Sequence, residues 1–153
     1  MMIRRVIIMG QRRYASSATA SSSNALRIGI CGGGTVGGGV VEMLKSRKRE
    51  FDRLGCEMVI SKMLVRDVNK ARDFELPDSC VLTSNPSEIL DDPNIDCVVE
   101  LVGGTDIAKD ITFGALERGK HVVSANKAYV YIRNICQVYL RRMLLRHKSA
   151  ASR

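Results

Sequence analysis

The sequence LRIGICGGGTVG at residues 26–37 decides the fold of this chain. Its first half, Leu26 to Cys31, is a short apolar run, which is typical of a strand buried on both faces of a parallel sheet. Its second half places Gly32, Gly34 and Gly37 directly after that strand, and apolar residues then recur at helical spacing. The order of strand, glycine-rich turn and helix is the context in which G-x-G-x-x-G predicts a nucleotide-binding loop.

Each glycine of this motif has its own physical role. Gly32 allows the tight turn, Gly34 lets the backbone approach a pyrophosphate, and Gly37 lets the helix and the strand pack closely. The helix N-terminus adds unpaired N–H groups and a partial positive charge, and both favour phosphate. The sequence therefore predicts dinucleotide binding at this loop.

Downstream of the motif, strand and helix patterns alternate. Four further stretches have strand patterns, namely residues 57–65, 80–83, 95–102 and 121–125. A short helix is predicted to begin at Asn85, and a longer one is predicted over residues 106–118, with Gly119 as its C-terminal glycine. This alternation predicts the α/β class, with a doubly wound parallel sheet of the Rossmann type and right-handed crossovers. We expect the sheet to be incomplete at its carboxyl end, with an open edge beside the last strand.

The end of the second strand bears on the choice of cofactor. An acid at this position binds the ribose 2′-hydroxyl of NAD, whereas a nearby arginine accommodates the 2′-phosphate of NADP. The second strand ends at Val65-Arg66-Asp67, after a polar stretch that lengthens the crossover, and Lys70 and Arg72 follow. We expect Arg66 to bind a 2′-phosphate by charge-assisted hydrogen bonds, which favours NADP. Asp67 keeps NAD possible.

The basic residues are concentrated at the two ends of the chain. The net charge of the 153 residues is +8, but residues 26–128 carry a net charge of −2. Residues 1–25 contain four arginines, many serines and no acid, which is typical of an organelle presequence. We expect import into the mitochondrial matrix, with the plastid stroma as the alternative. The pattern of residues 129–153 predicts a basic amphipathic helix. This helix would bind a partner or a membrane surface, or it would simply be solvated.

Several classes of function are not favoured. The chain has no apolar run of about 18 residues, so no membrane span is expected. Its five cysteines contain no C-x-x-C pair, so neither a metal site nor a disulfide framework is expected. A nucleic-acid partner is not expected either, because aromatic residues make up only 5% of the chain and no aromatic and basic platform is present.

Four segments together resemble the amino-terminal cofactor domain of homoserine dehydrogenase. They are GGGTVGGGVV at residues 32–41, VRD at 65–67, VVELVGG at 98–104 and GKHVVSANKA at 119–128. The resemblance spans about residues 26–128. It implies an oxidoreductase that interconverts aspartate semialdehyde and homoserine with NAD(P)H, on the route to threonine and methionine.

The resemblance also implies roles for individual positions. With the glycine motif, it gives cofactor contacts at Gly32, Gly34, Thr35, Val36, Gly37, Arg66, Gly103, Gly104, Ser124 and Asn126. Thr35 and Val36 would contact the pyrophosphate together with Gly34, and Gly103 with Gly104 would lie at the nicotinamide end. Ser124 and Asn126 belong to the segment that meets the nicotinamide and the substrate. Lys127 would be the catalytic residue, near the reacting carbonyl.

Residues 129–153 do not resemble the continuation of the family, in which a last strand, a dimerisation region and a substrate domain follow. We therefore expect a fragment of homoserine dehydrogenase that binds cofactor without catalysing hydride transfer alone, since catalysis also requires a substrate held in line. We do not expect the family's homo-oligomer. One alternative is a non-catalytic nucleotide-binding module whose basic tail binds a partner or a membrane. Another is a different short Rossmann enzyme acting on aspartate-derived substrates.

Overall fold

The structure, a computed structural model, describes residues 7–9 and 25–126. The predicted catalytic Lys127, the predicted basic tail at residues 129–153 and most of the predicted presequence lie outside the described residues.

One mixed sheet organises the described part of the chain. The strands are β1 (Ile7–Met9), β2 (Ala25–Cys31), β3 (Glu57–Leu64), β4 (Val81–Thr83), β5 (Cys97–Glu100) and β6 (His121–Ser124). The helices are α1 (Thr35–Ser46), α2 (Lys48–Arg53), α3 (Ser87–Leu90) and α4 (Asp106–Glu117). The strand order is β1-β6-β5-β2-β3-β4, and all pairings among β2 to β6 are parallel. The predicted doubly wound α/β fold is confirmed.

Strand β1 departs from the predicted all-parallel sheet. It pairs with β6 in the antiparallel direction, with Ile8 opposite Val123. We expected an open edge beside β6, and β1 occupies that edge. Pairing satisfies backbone N–H and C=O groups that an edge strand would otherwise present to other chains. The segment lies within residues 1–25, whose targeting role stays a prediction.

The central strand β2 is buried on both faces because side chains alternate along a strand. Ile28 and Ile30 belong to the core on the α1 side, together with Val41. Cys31 belongs to the opposite core, which also contains Ile111 of α4. The double burial covers Ile28 to Cys31, whereas Arg27 near the start of the strand is exposed.

The chain changes direction between β2 and β5, which are neighbours in the sheet. From β2 it crosses through α1 and α2 to β3 on one side, whereas from β5 it crosses through α4 to β6 on the other. The two crossovers leave a crevice outside the carboxyl ends of β2 and β5. Doubly wound sheets bind their ligands at such a switch point.

The predicted ends of two helices agree with the structure. The side-chain Oδ1 of Asn85 accepts a hydrogen bond from the N–H of Ser87, the first residue of α3, at 3.0 Å. Beyond α4, the Gly119 N–H donates to the Leu116 carbonyl at 3.0 Å, which closes the last turn. Helix α2 was not predicted. It forms within the stretch that the sequence analysis described only as a polar extension of the crossover.

Two lysines hold the loop between α3 and β5. The Lys62 Nζ lies 2.9 Å from Oδ2 of Asp92 and donates to the Glu88 carbonyl at 2.9 Å. The buried Lys120 donates to the backbone carbonyls of Asp92 and Ile95. The hydrogen bond from Lys62 is the main reason why the pKa of Asp92 is lowered, and the backbone N–H of Asn94 adds to it. This loop is therefore tied to β3 and to the start of β6.

Replacing Asp92 with Asn should lower the free energy of unfolding by about 1 kcal/mol at pH 7, because it removes the charge that pairs with Lys62. The folded-state pKa lies below the unfolded value of about 4, so the stabilisation is complete above that pH. It should disappear as the pH falls through the folded-state pKa. Urea unfolding of both proteins at neutral and acidic pH measures this difference.

Asp91→Asn is the matched control, because Asp91 pairs with Arg118 at 2.6 Å but the two side chains are 57% and 41% exposed. Its expected effect is below about 0.5 kcal/mol. If both variants lose the same free energy of unfolding, or if the loss for Asp92→Asn does not change with pH, the ion pair between Asp92 and Lys62 does not stabilise the fold as proposed.

Candidate functional site

The glycine-rich turn between β2 and α1 is shaped by two close approaches. Gly32 has φ +117°, a conformation that residues with side chains rarely adopt, and a Cβ there would lie 2.9 Å from the Leu101 carbonyl oxygen. A Cβ on Gly37 would lie 2.1 Å from the Gly32 carbonyl oxygen. No rotamer change could relieve either contact, since both partners are backbone atoms. The first and third glycines of the motif are thus required for packing.

Gly34, the second glycine of the motif, faces open space. A Cβ on Gly34 would have no atom within 4 Å, and φ −89° and ψ −164° are allowed for any residue. Gly34 is the N-cap of α1, where no side chain caps the helix and no acid lies in the first turn. The first N–H groups of α1 are therefore presented to this space together with the positive end of the helix dipole. A pyrophosphate fits this cradle because it supplies the negative charge and the acceptors that the helix end lacks.

Thr35 and Val36, the residues between the second and third glycines, are exposed in the first turn of α1. Val36 is 54% exposed although its side chain is apolar. Both residues thus border the cradle rather than the core, where a molecule bound to the turn would meet them.

The carboxyl ends of β5 and β6 are joined by a buried carboxylate. Glu100 is fully buried, its Oε1 accepts the backbone N–H of Val102 at 2.7 Å, and its Oε2 accepts the hydroxyl of Ser124 at 2.6 Å. The Ser124 hydroxyl in turn accepts the N–H of Asn126 at 3.1 Å. The side-chain amide of Asn126 donates to the Gly104 carbonyl at 2.7 Å. This chain of hydrogen bonds fixes both loops at one wall of the crevice.

The predicted nicotinamide-side residues are thus brought together, and two of them also have internal partners. Gly103 and Gly104 are exposed, and a Cβ on either would have no atom within 4 Å. Ser124 and Asn126 use the hydrogen bonds described above to hold the loop after β5. Their predicted contact with a cofactor stays a prediction.

Glu100 is the site residue to which the sequence analysis gave no role. An acid inside an otherwise apolar strand, VVELV at residues 98–102, was the available signal, since a buried charge requires hydrogen-bonding partners. Cys31, at the end of the adjacent strand β2, is no candidate nucleophile. Burial, with the negative charge of Glu100, raises the pKa of its thiol to about 12.

At the opposite wall of the crevice, beyond β3, Arg66 is exposed. Within residues 25–126 it has no hydrogen bond or ion pair, so its guanidinium is available to a ligand. The neighbouring Asp67 accepts the N–H of Asn69 at 2.9 Å through its Oδ1. One oxygen of that carboxylate is thus engaged within its own loop.

The described residues contain no cluster of three or more His, Cys, Asp or Glu side chains that could hold a metal ion. In the same part of the chain, every helix is too short or too polar to cross a membrane.

Comparison with known proteins agrees with the geometry of the crevice. The family model for the NAD-binding domain of homoserine dehydrogenase matches residues 32–149. The chain belongs to the homoserine dehydrogenase family. The matched range continues past Ala128 into residues 129–149, which were not expected to resemble the family. The domain boundary at residue 128 stays a prediction.

Individual members of the family match the same region. The homoserine dehydrogenase of Bacillus subtilis is 41% identical over 104 residues, which cover 67% of this chain and 24% of that protein. The one from Neisseria gonorrhoeae is 43% identical over 103 residues, covering 67% of this chain and 23% of that protein. The chain therefore spans about a quarter of the length of these relatives.

Solved structures of the family share the fold. A crystal structure of Staphylococcus aureus homoserine dehydrogenase at pH 7.0 matches with a TM-score of 0.63 and 38% identity, covering 67% of this chain and 26% of that chain. A structure of the Thiobacillus denitrificans enzyme matches with a TM-score of 0.60 and 42% identity, covering 67% of this chain and 24% of that chain. The chain thus carries the nicotinamide dinucleotide-binding domain of the family, with its Rossmann-like fold.

Replacing Glu100 with Ala should lower the free energy of unfolding by about 2 to 4 kcal/mol, because the Val102 N–H and the Ser124 hydroxyl both lose a charged acceptor and a cavity forms. Glu100→Gln should cost less, about 1 to 2 kcal/mol, because the amide oxygen still accepts one of the two bonds. Urea unfolding measures both variants. A loss below about 0.5 kcal/mol for the alanine variant would show that this carboxylate does not hold the two loops together.

Proposed function

We propose that the crevice at the carboxyl ends of β2 and β5 binds NADP(H), and that this domain serves an oxidoreductase that interconverts aspartate semialdehyde and homoserine. The observation that carries the proposal is the open cradle at Gly34, at an uncapped helix N-terminus, in a chain that belongs to the homoserine dehydrogenase family. When bound, the nicotinamide supplies the hydride chemistry. The residues of this chain bind and orient it.

Different residues along the crevice would contact different parts of the dinucleotide and the substrate. Backbone N–H groups at the start of α1, from Thr35 onward, would hold the pyrophosphate. The exposed loop at Gly103 and Gly104, which Glu100 holds in place, would lie at the nicotinamide side. Because both residues are glycines with open space beside them, the nicotinamide ring could approach the backbone closely. Lys127 follows directly after Asn126, whose amide is tied to that same loop. We propose that Lys127 places a positive charge or a proton donor near the substrate carbonyl.

A preference for NADP over NAD is supported by the charges beyond β3. Arg66 is exposed and has no partner among residues 25–126, whereas Asp67 already accepts a backbone N–H of its own loop. A free guanidinium gains more from a doubly charged phosphate than from a hydroxyl. The matched region is a cofactor domain, so we propose cofactor binding for this chain and the dehydrogenase reaction for an enzyme that also holds the substrate in line.

Titration of the 153-residue chain with NADPH and NADH, followed by nucleotide fluorescence, tests the binding proposal. We expect saturable binding of both, about tenfold tighter for NADPH, because each 1.4 kcal/mol of extra interaction is a factor of ten. Gly34→Val should lower the affinity for NADPH and for NADH by at least about tenfold. The fold should stay intact, because the valine side chain would enter the cradle and meet no protein atom.

Gly39→Ala is the matched control. A Cβ on Gly39 also meets no atom within 4 Å, but Gly39 lies inside α1, away from the cradle. It should leave affinity unchanged and stabilise the helix by about 0.5 to 1 kcal/mol. No binding by the unmodified chain, or full binding by Gly34→Val, would refute the proposed site.

We further propose that residues 1–25 direct the chain to the mitochondrial matrix. Their support is the presence of four arginines without any acid, which matches the composition of such signals. Fused to a fluorescent protein, residues 1–25 should give mitochondrial fluorescence, and replacing the four arginines with glutamine should abolish it. Plastid fluorescence in a plant cell, or diffuse fluorescence, would contradict the proposal.

A further inference from the structure

The loop that follows β3 folds back over the glycine-rich turn. A Cβ on Gly33 would lie 2.6 Å from Cγ1 of Val65, the residue directly after β3. A Cβ on Gly38 would lie 2.5 Å from the ring of Phe74. The loop therefore packs along the first turns of α1, and residues between Val65 and Phe74 are held next to the turn that carries the cradle.

Arg72 lies at the centre of this contact. Its guanidinium carbon, Cζ, is 3.7 Å from the position of a Cβ on Gly33, and its Nη2 donates to the Asp67 carbonyl at 2.7 Å. The Nε of Arg72 is buried and, among residues 25–126, has no hydrogen-bond partner. A guanidinium has five N–H donors, and the described structure uses one of them, in the bond to the Asp67 carbonyl. Arg72 is only half-buried, so N–H groups of its guanidinium remain for an acceptor that binds beside the glycine-rich turn.

The position of Arg72 identifies which part of a dinucleotide it faces. In doubly wound folds the adenosine ribose lies between the glycine-rich turn and the end of the second parallel strand, which is β3 in this chain. Val65 and Gly33 meet at that junction, and the Arg72 guanidinium lies beside Gly33. The Asp67 carboxylate forms no ion pair with Arg72 in the described structure and accepts the Asn69 N–H instead.

We infer that Arg72 is a second specificity-determining residue of the crevice and binds the 2′-phosphate of the adenosine ribose, an inference that rests on the proposed function. Arg72 is already held by the Asp67 carbonyl and by packing, so it loses less side-chain freedom on binding than the exposed Arg66. Arg72 should therefore contribute more than Arg66 to the choice of NADP over NAD.

The test uses two adenosine nucleotides that differ only in the 2′-phosphate. Calorimetric titration of the full 153-residue chain with adenosine 2′,5′-bisphosphate and with AMP measures affinity without catalysis. Arg72→Gln should lower the affinity for adenosine 2′,5′-bisphosphate at least about tenfold and the affinity for AMP less than threefold. The reason is that the variant loses a charge-assisted hydrogen bond to the 2′-phosphate, which AMP lacks. Arg66→Gln should weaken the bisphosphate by a smaller factor.

Two further variants separate recognition from folding. Arg53→Gln makes the same change of charge on α2, which precedes the amino end of β3 at the opposite end of the sheet, and should change neither affinity more than twofold. Arg72→Lys keeps a cation and a donor for the Asp67 carbonyl, so it should retain part of the preference even if Arg72→Gln does not fold. Thermal unfolding of each variant accompanies the titrations.

Equal losses for the bisphosphate and AMP in Arg72→Gln, or no loss for either, would overturn the inference. So would an unmodified chain that binds NADH and AMP but gains nothing from the 2′-phosphate, and in that case dinucleotide binding would stand. An unmodified chain that binds neither dinucleotide would refute the proposed function itself, and the inference with it.

Discussion

The structure depends on one close approach, that of the first turn of α1 to the end of β2. The contact between Gly37 and the Gly32 carbonyl leaves no space for a side chain. It sets the helix against the strand so closely that the positive end of α1 lies at the carboxyl edge of the sheet, next to the switch point between β2 and β5. Any larger residue at Gly37 would push the helix away and displace the N–H groups that are proposed to bind the pyrophosphate at this edge.

The two walls of the crevice are built by different means. On the α1 side the groups proposed to bind phosphate are backbone N–H groups, which require no particular side chain beyond the glycines. On the β6 side a buried carboxylate, Glu100, gathers the Val102 N–H and the Ser124 hydroxyl, and Asn126 then ties the loop at Gly104. A buried carboxylate without hydrogen bonds would be strongly destabilising, so the network constrains both loops to one arrangement. The rigid wall thus forms as a consequence of burying one acid.

Most of the fold could be predicted from the sequence because its signals are local. The apolar runs, the glycine motif, Asn85 before α3 and Gly119 after α4 each act within a few residues, and the structure confirms them. Helix α2 was missed because its six residues have no strong apolar stripe. The antiparallel pairing of β1 was missed because Ile7–Met9 and β6 are more than 100 residues apart along the chain, and the composition around β1 is that of a presequence. Long-range pairing leaves no local pattern when a strand is this short.

The sequence by itself determined the class of fold, the position of the glycine-rich turn and the family, because strand and helix periodicity and the glycine spacing are properties of neighbouring residues. Only the tertiary structure decided which side chains complete the crevice. Glu100 and Ser124 meet across two strands, and Arg72 reaches Gly33 by way of a loop that folds back over α1. Such contacts join residues about 24 and 39 positions apart, and their energies depend on burial and on distances between atoms, which no spacing along the chain encodes.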